Sequence, residues 1–140
     1  MVTLNRTLLL AKEELEKVKI DLGKDEFVYV RQMTGRERDN FEQSLIKEVK
    51  DNKGTVSYER SLGDFRAKLA VVTVCDENGN AIFLPDDFGL LSKNMSAKRL
   101  ELIVNAAQKL NAISEEDKET LVKNLNTEPA DNSNSGSVEN

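Results

Sequence analysis

Three arginines in the stretch RQMTGRERDNFE, Arg31, Arg36 and Arg38, are the side chains here whose chemistry asks for a partner. A guanidinium grips a carboxylate or phosphate through parallel N–H donors, so a cluster of them can read an acidic surface. The same stretch also has the spacing of a helix start. Thr34 and Glu37 stand three apart, which lets the hydroxyl cap one backbone amide while the carboxylate caps another. Met33 lies where an apolar staple residue would sit, although its partner position falls on Arg38. Arg36 has Asp39 and Asn40 within a helical turn, so local pairing competes with any external ligand. The spacing favours a capped helix start with a solvated face. Arg31, Arg36 and Arg38 are the candidate contacts to an acidic partner.

Little else has a catalytic pattern. The chain has no histidine, which removes the usual proton shuttle near neutral pH and the usual imidazole metal ligand. Its one cysteine, Cys75, ends an apolar run and reads as a buried thiol without an activating base. The stretch DENGN fails as a calcium loop: with Gly79 at position six, position one is Val74. The seven glycines are scattered and form no phosphate cradle. No cofactor, metal or enzymatic activity is expected.

The elements that must carry these residues can be read from periodicity. Residues 4–16 have helical spacing in Leu4, Leu8 and Leu15. Val18, Ile20 and Leu22 then alternate with polar residues, and FVYVRQM is rich in strand formers. The two read as strands over 17–22 and 27–33, joined by a four-residue loop GKDE. With few sequence partners to cover them, these strands could present an open edge. Phe41, Leu45 and Val49 sit four apart and predict a helix over 35–50, followed by a mobile polar loop at 51–59. Residues 64–74 fit a helix through Phe65, Leu69 and Val72, while AVVTV alone would pass as a buried strand; length favours the helix. Gly63 and Asp64 supply its start signal. Asn78-Gly79 predicts a tight turn ahead of Phe83. A short helical turn at LPDDFGLLS, a helix from Ser96 to Leu110, and a last helix from Ser114 that includes Leu121, Val122 and Leu125 complete the domain.

The expectation is an α+β fold, predominantly helical, with about five helices and a small antiparallel hairpin in the N-terminal third. It is one domain over 1–126 with a disordered tail at 127–140. The tail, TEPADNSNSGSVEN, has too few large apolar residues to offset its ordering entropy. A formal charge of -5 argues against a general nucleic-acid binder. No apolar run approaches the ~20 residues of a membrane span, so a soluble intracellular protein is expected.

Taken in order, VYVRQMTGRERDNFE, FRAKLAVVTVCDENGNAIF and DDFGLLSKNMSAKRLELIVNAAQKLNAISEED resemble the tail assembly chaperones of long-tailed bacteriophages and prophages. The matching positions are Val28, Val30 and Arg31; Thr34 to Arg38; Arg66, Ala67 and Leu69; Asp76, Glu77, Gly79 and Phe83; Leu91 and Ser92; Leu110 and Asn111; and Ser114 to Asp117. The resemblance covers about residues 17–125 and leaves the N-terminal segment and the C-terminal tail unexplained. It implies a protein without catalysis or cofactor in the host bacterial cytoplasm. Such a protein binds the tape measure protein, with the tail tube protein as a further partner, associates with itself, and leaves before the particle is complete. A frameshifted longer form is common in that family. The alternative is a structural tail or connector component retained in the particle.

Overall fold

The computed structural model describes residues 1–60 and 64–122, the side chains of Arg60 and Val122 apart. The expected disorder of 127–140, the inward packing of Leu125 and the start signal at Gly63 lie outside these residues. Of the described residues 47% are helical and 21% are in strands, so the fold is α+β and predominantly helical.

The N-terminal hairpin forms as its alternation predicts. Strand β1 (Lys17–Gly23) pairs antiparallel with β2 (Glu26–Arg31), with Val18 opposite Val30 and Ile20 opposite Val28. These four share one face, and helix α5 (Ala97–Leu110) packs across it. The turn is tighter than expected. Gly23 pairs with Glu26, leaving Lys24 and Asp25 as a two-residue loop at φ 57 and 61°. Both φ values are positive because that turn's twist matches the strands. Leu22 is the extra residue of a bulge, and the Asp21 carboxylate accepts the Gly23 amide at 2.7 Å.

β2 is not an edge strand. A two-residue strand, β5 (Val74–Cys75), pairs with its other side at Tyr29 and Val30, giving the order β1-β2-β5. β5 follows directly on helix α3 (Phe65–Thr73), so both readings of 64–74 hold in part. The helix ends one residue before the strand, with the Thr73 hydroxyl turned back onto the Leu69 carbonyl at 2.7 Å. Asp64 stands at the N-cap in the left-handed region, φ 65°, and its side chain caps nothing. The core joins Val30, Leu45, Leu69, Val74, Ile103 and Val104, each at most 1% exposed.

Three expectations fail. The predicted helix over 35–50 stops early: α2 spans Gly35–Ser44, Leu45 caps it, and Ile46–Lys50 is a strand, β3. β3 pairs with β4 (Val56–Arg60) in a separate hairpin where a mobile loop was expected. The reversal is built by Asp51, whose carboxylate accepts the amides of Lys53 and Thr55, both at 2.8 Å, and by Gly54 at φ 78°. The turn residues read from sequence as a break are what pair the two strands. The long N-terminal helix also fails. Helix α1 is only Arg6–Leu10, capped by Asn5, with no buried residue. A helix this short is marginal without an apolar surface to bury against. The chain then runs irregularly to Glu16, which extends the β1–β2 pairing through Gln32 (Gln32 amide to Glu16 carbonyl, 2.9 Å).

The remaining elements follow their caps. The Asp76 carboxylate accepts the amides of Asn78 and Asn80 at 2.8 and 3.0 Å, and of Asn78 and Gly79 only the glycine has positive φ, 86°. A 3-10 turn, Pro85–Asp87, leads into helix α4 (Phe88–Asn94). Ser96 caps α5, and Ser114 and Asp117 cap helix α6 (Glu115–Val122) reciprocally, at 3.0 Å each way.

Candidate partner-binding cleft

The β2-to-α2 junction carries the candidate arginines, and it uses two of them internally. The capping box forms as the spacing requires: the Glu37 amide donates to the Thr34 hydroxyl at 3.1 Å, and the Thr34 amide donates to the Glu37 carboxylate at 2.9 Å. Arg31 is 6% exposed and donates to both Glu37 oxygens, at 2.8 and 2.9 Å, and to the Gln32 carbonyl at 2.8 Å. The Arg31 hydrogen bond holds the Glu37 carboxyl below its usual range, against the opposing effect of burial and with help from the Thr34 amide. Arg31 is in turn held more firmly protonated by Glu37.

Arg38 reaches sideways. It pairs with Glu42 at 3.0 Å and donates to the Asn111 carbonyl at 3.0 Å, where a cation suits the C-terminal end of α5. The Asn111 side chain completes the clamp by accepting the Met33 amide at 2.7 Å and donating to the Ala107 carbonyl at 2.8 Å. The reach of Asn111 to Met33 is a tertiary fact with no local signal in the sequence. Of the three, Arg36 alone is exposed and in no ion pair among the described residues. The three arginines therefore do not converge on one partner surface.

The same helix borders a cleft on its other side. It has a volume of about 510 Å3 and lies between α2, α3 and the segment from Ala81 to Phe88. Phe41, Val71, Val72, Phe83 and Phe88 make its walls, so Phe83 of the predicted turn region is a cleft residue. Glu37, Asn40, Ser44, Lys68 and Asp86 are its polar lining. Lys68 is held in place: its ammonium donates to the Ser44 carbonyl at 2.8 Å and lies 5.0 Å from the Phe88 ring centre. The Asn78-Gly79 turn holds Ala81 against Cys75 through an isolated bridge, which places the Ala81–Phe88 wall. An apolar trough with few polar groups on its rim is suited to an apolar side-chain row, such as one face of an amphipathic helix.

Cys75 is 2% exposed, and burial pushes its thiol pKa up, so it is set against thiolate chemistry. Among the described residues no group of three or more acidic, histidine or cysteine side chains is placed to hold a metal, and no helix is long and apolar enough to cross a membrane. β1 is the open edge of the larger sheet, with Lys17 and Lys19 exposed on it. Comparison of the chain with protein-family models, curated proteins and solved structures gives no match.

Proposed function

We propose that this chain is a tail assembly chaperone of a long-tailed bacteriophage or prophage, acting in the host bacterial cytoplasm without catalysis. It binds the tape measure protein while the tail tube is assembled. The ordered motifs between about residues 17 and 125 support the family. The observation that carries the binding role is the cleft walled by Phe41, Val71, Val72, Phe83 and Phe88, which can take the apolar face of a helical client.

Co-expression with the tape measure protein tests this reading. The client should move into the soluble fraction in the presence of the chain, and Val72→Glu should abolish that rescue. An insoluble client in both cases would remove the chaperone role. Mass spectrometry of purified particles should find the chain absent; many copies per particle would make it a retained structural component instead.

A further inference from the structure

The Asn78-Gly79 pair turns the chain, and it is also chemically labile. Asparagine is a thermolabile residue, most of all ahead of glycine, where no side chain shields the next amide nitrogen. Asn78 is the one asparagine of the chain followed by glycine. Its side chain is exposed and makes no hydrogen bond among the described residues. The Asn111 side chain, by contrast, is committed to Met33 and Ala107. A Cβ on Gly79 would meet nothing within 4 Å beyond its chain neighbours, and both turn residues border an open cleft of about 320 Å3. A five-membered ring between the Asn78 side chain and the Gly79 nitrogen therefore has room to form.

One bond stands in the way. The Gly79 amide donates to the Asp76 carbonyl at 3.0 Å, and ring closure needs that nitrogen free. Asp76 also closes the turn that holds it. Its carboxylate accepts the Asn78 and Asn80 amides at 2.8 and 3.0 Å, and its own amide donates to the Asn80 carbonyl at 2.9 Å. A carboxylate bonded to the backbone two residues on clasps a turn without help from the rest of the fold. The clasp, and not burial, is what keeps the Gly79 nitrogen occupied.

We infer that Asn78 is a deamidation site, gated by the Asp76 clasp, whose product moves one wall of the Phe41–Val72–Phe88 cleft. When the turn opens, the Gly79 nitrogen attacks the carbonyl carbon of the Asn78 side chain. One C–N bond forms and one breaks, and the side-chain nitrogen leaves as ammonia with the proton of the Gly79 amide. Water then opens the ring. Attack at the side-chain carbonyl leaves aspartate; attack at the main-chain carbonyl leaves isoaspartate, with one more methylene in the backbone path. Either product sets a second carboxylate beside that of Asp76, and like charges so close repel. Isoaspartate also lengthens the chain between Asp76 and Asn80, and so strains the bridge from Cys75 to Ala81. Ala81 begins the wall that carries Phe83 and Phe88. The modification is independent of what the cleft binds; only its effect on client binding rests on the function proposed above.

Peptide mapping of the full chain, incubated in mildly alkaline buffer made with heavy-oxygen water, tests this. Position 78 should gain labelled oxygen and appear as both aspartate and isoaspartate. Asp76→Ala should raise that rate severalfold, and Asn78→Gln, whose larger ring closes far more slowly, should hold it near zero. Circular dichroism should match wild type for both; if Asp76→Ala unfolds, Asp76→Ser, which keeps an acceptor, takes its place with a smaller rise. The deamidated fraction, separated by its added negative charge, should exchange its amide hydrogens over 81–88 faster than the unreacted fraction and rescue less of the tape measure protein. Equal rates in wild type and Asp76→Ala would overturn the inference. So would a wild type without product once Asp76→Ala has reacted in full, or unchanged exchange over 81–88 in the deamidated fraction. If exchange rises while client rescue is unchanged, the modification stands and the cleft is not the client's.

Discussion

The β2-to-α2 junction and the N-terminal segment invert what their residue types suggest. The junction is rich in arginine, yet Arg31 is buried in a two-bonded ion pair and Arg38 ties α2 to the end of α5. The segment is rich in leucine, yet none of its residues is buried. Polar side chains hold the interior joint because both terminal nitrogens of Arg31 find fixed acceptors on Glu37 and Gln32. The leucines stay exposed, with Leu9 only bordering a cleft that Met33 and Leu110 also line. Stability should therefore respond to Arg31 at the junction and ignore the leucines of the segment.

Between junction and segment, the largest expected effect comes from breaking the junction. Arg31→Met should lower unfolding free energy by about 2 kcal/mol. That is below the ~3–5 kcal/mol for losing one partner of a fully buried pair, because the Glu37 side chain is 31% exposed and water recovers part of its charge. Arg36→Met, exposed in the first turn of α2, should stay within about 0.5 kcal/mol. Urea unfolding of the pair checks the contrast, and equal losses would mean that Arg31 is not the joint.

A smaller loss is expected from the cap. Thr34→Ala removes the acceptor of the Glu37 amide and should cost about 1 kcal/mol. The junction also sets an acid limb. The folded state lowers the Glu37 pKa, so its contribution is complete above the unfolded carboxylate range, near 4.3, and is lost as pH falls through the lower folded value. Glu37→Gln should therefore flatten the loss of stability on acidification below that range.

These joints differ in how far the sequence foretold them. The Thr34–Glu37 cap, the 76–80 turn, the first hairpin and the helix from Ser96 were legible, because each is specified within a few residues by a cap, a turn pair or a period. What was lost depends on distant partners. Phe41, Leu45 and Val49 match a helical period. The chain leaves the helix at Leu45, however, because the Asp51–Gly54 turn pairs Ile46–Lys50 with Val56–Arg60. Leu4, Leu8 and Leu15 predict a helix face only if something covers it. The cleft joins α2, α3 and the Ala81–Phe88 segment, so no local pattern could announce it; Phe83 was noticed, but only as part of a family motif.

A third effect should have the opposite sign. Ala112 follows α5 at φ 54°, where the Ile113 amide returns to the Gln108 carbonyl at 2.8 Å and the Ala112 amide to Lys109 at 3.3 Å. This helix end favours glycine, since a Cβ in the left-handed region costs about 1 kcal/mol. Part of that gain is offset by glycine's greater freedom when unfolded. Ala112→Gly should thus stabilise the chain by about 0.5 kcal/mol in the same unfolding assay. Because the residue follows Asn111 directly, a loss instead would show that the Asn111 clamp on Met33 depends on this turn being stiff.

The smallest expected change in stability is in the segment. Leu8→Asp/Leu9→Asp replaces two leucines that are 56 and 65% exposed, so the monomer should unfold within about 0.5 kcal/mol of wild type. A core substitution of the same kind, Leu69→Ala at a fully buried position, should cost about 2–5 kcal/mol. The assay must be run at a concentration where the chain is monomeric, because assembly would add its own stabilisation by mass action. A leucine variant that loses stability even when dilute would show the segment packing on its own domain. That would return its leucines to the role their spacing first suggested.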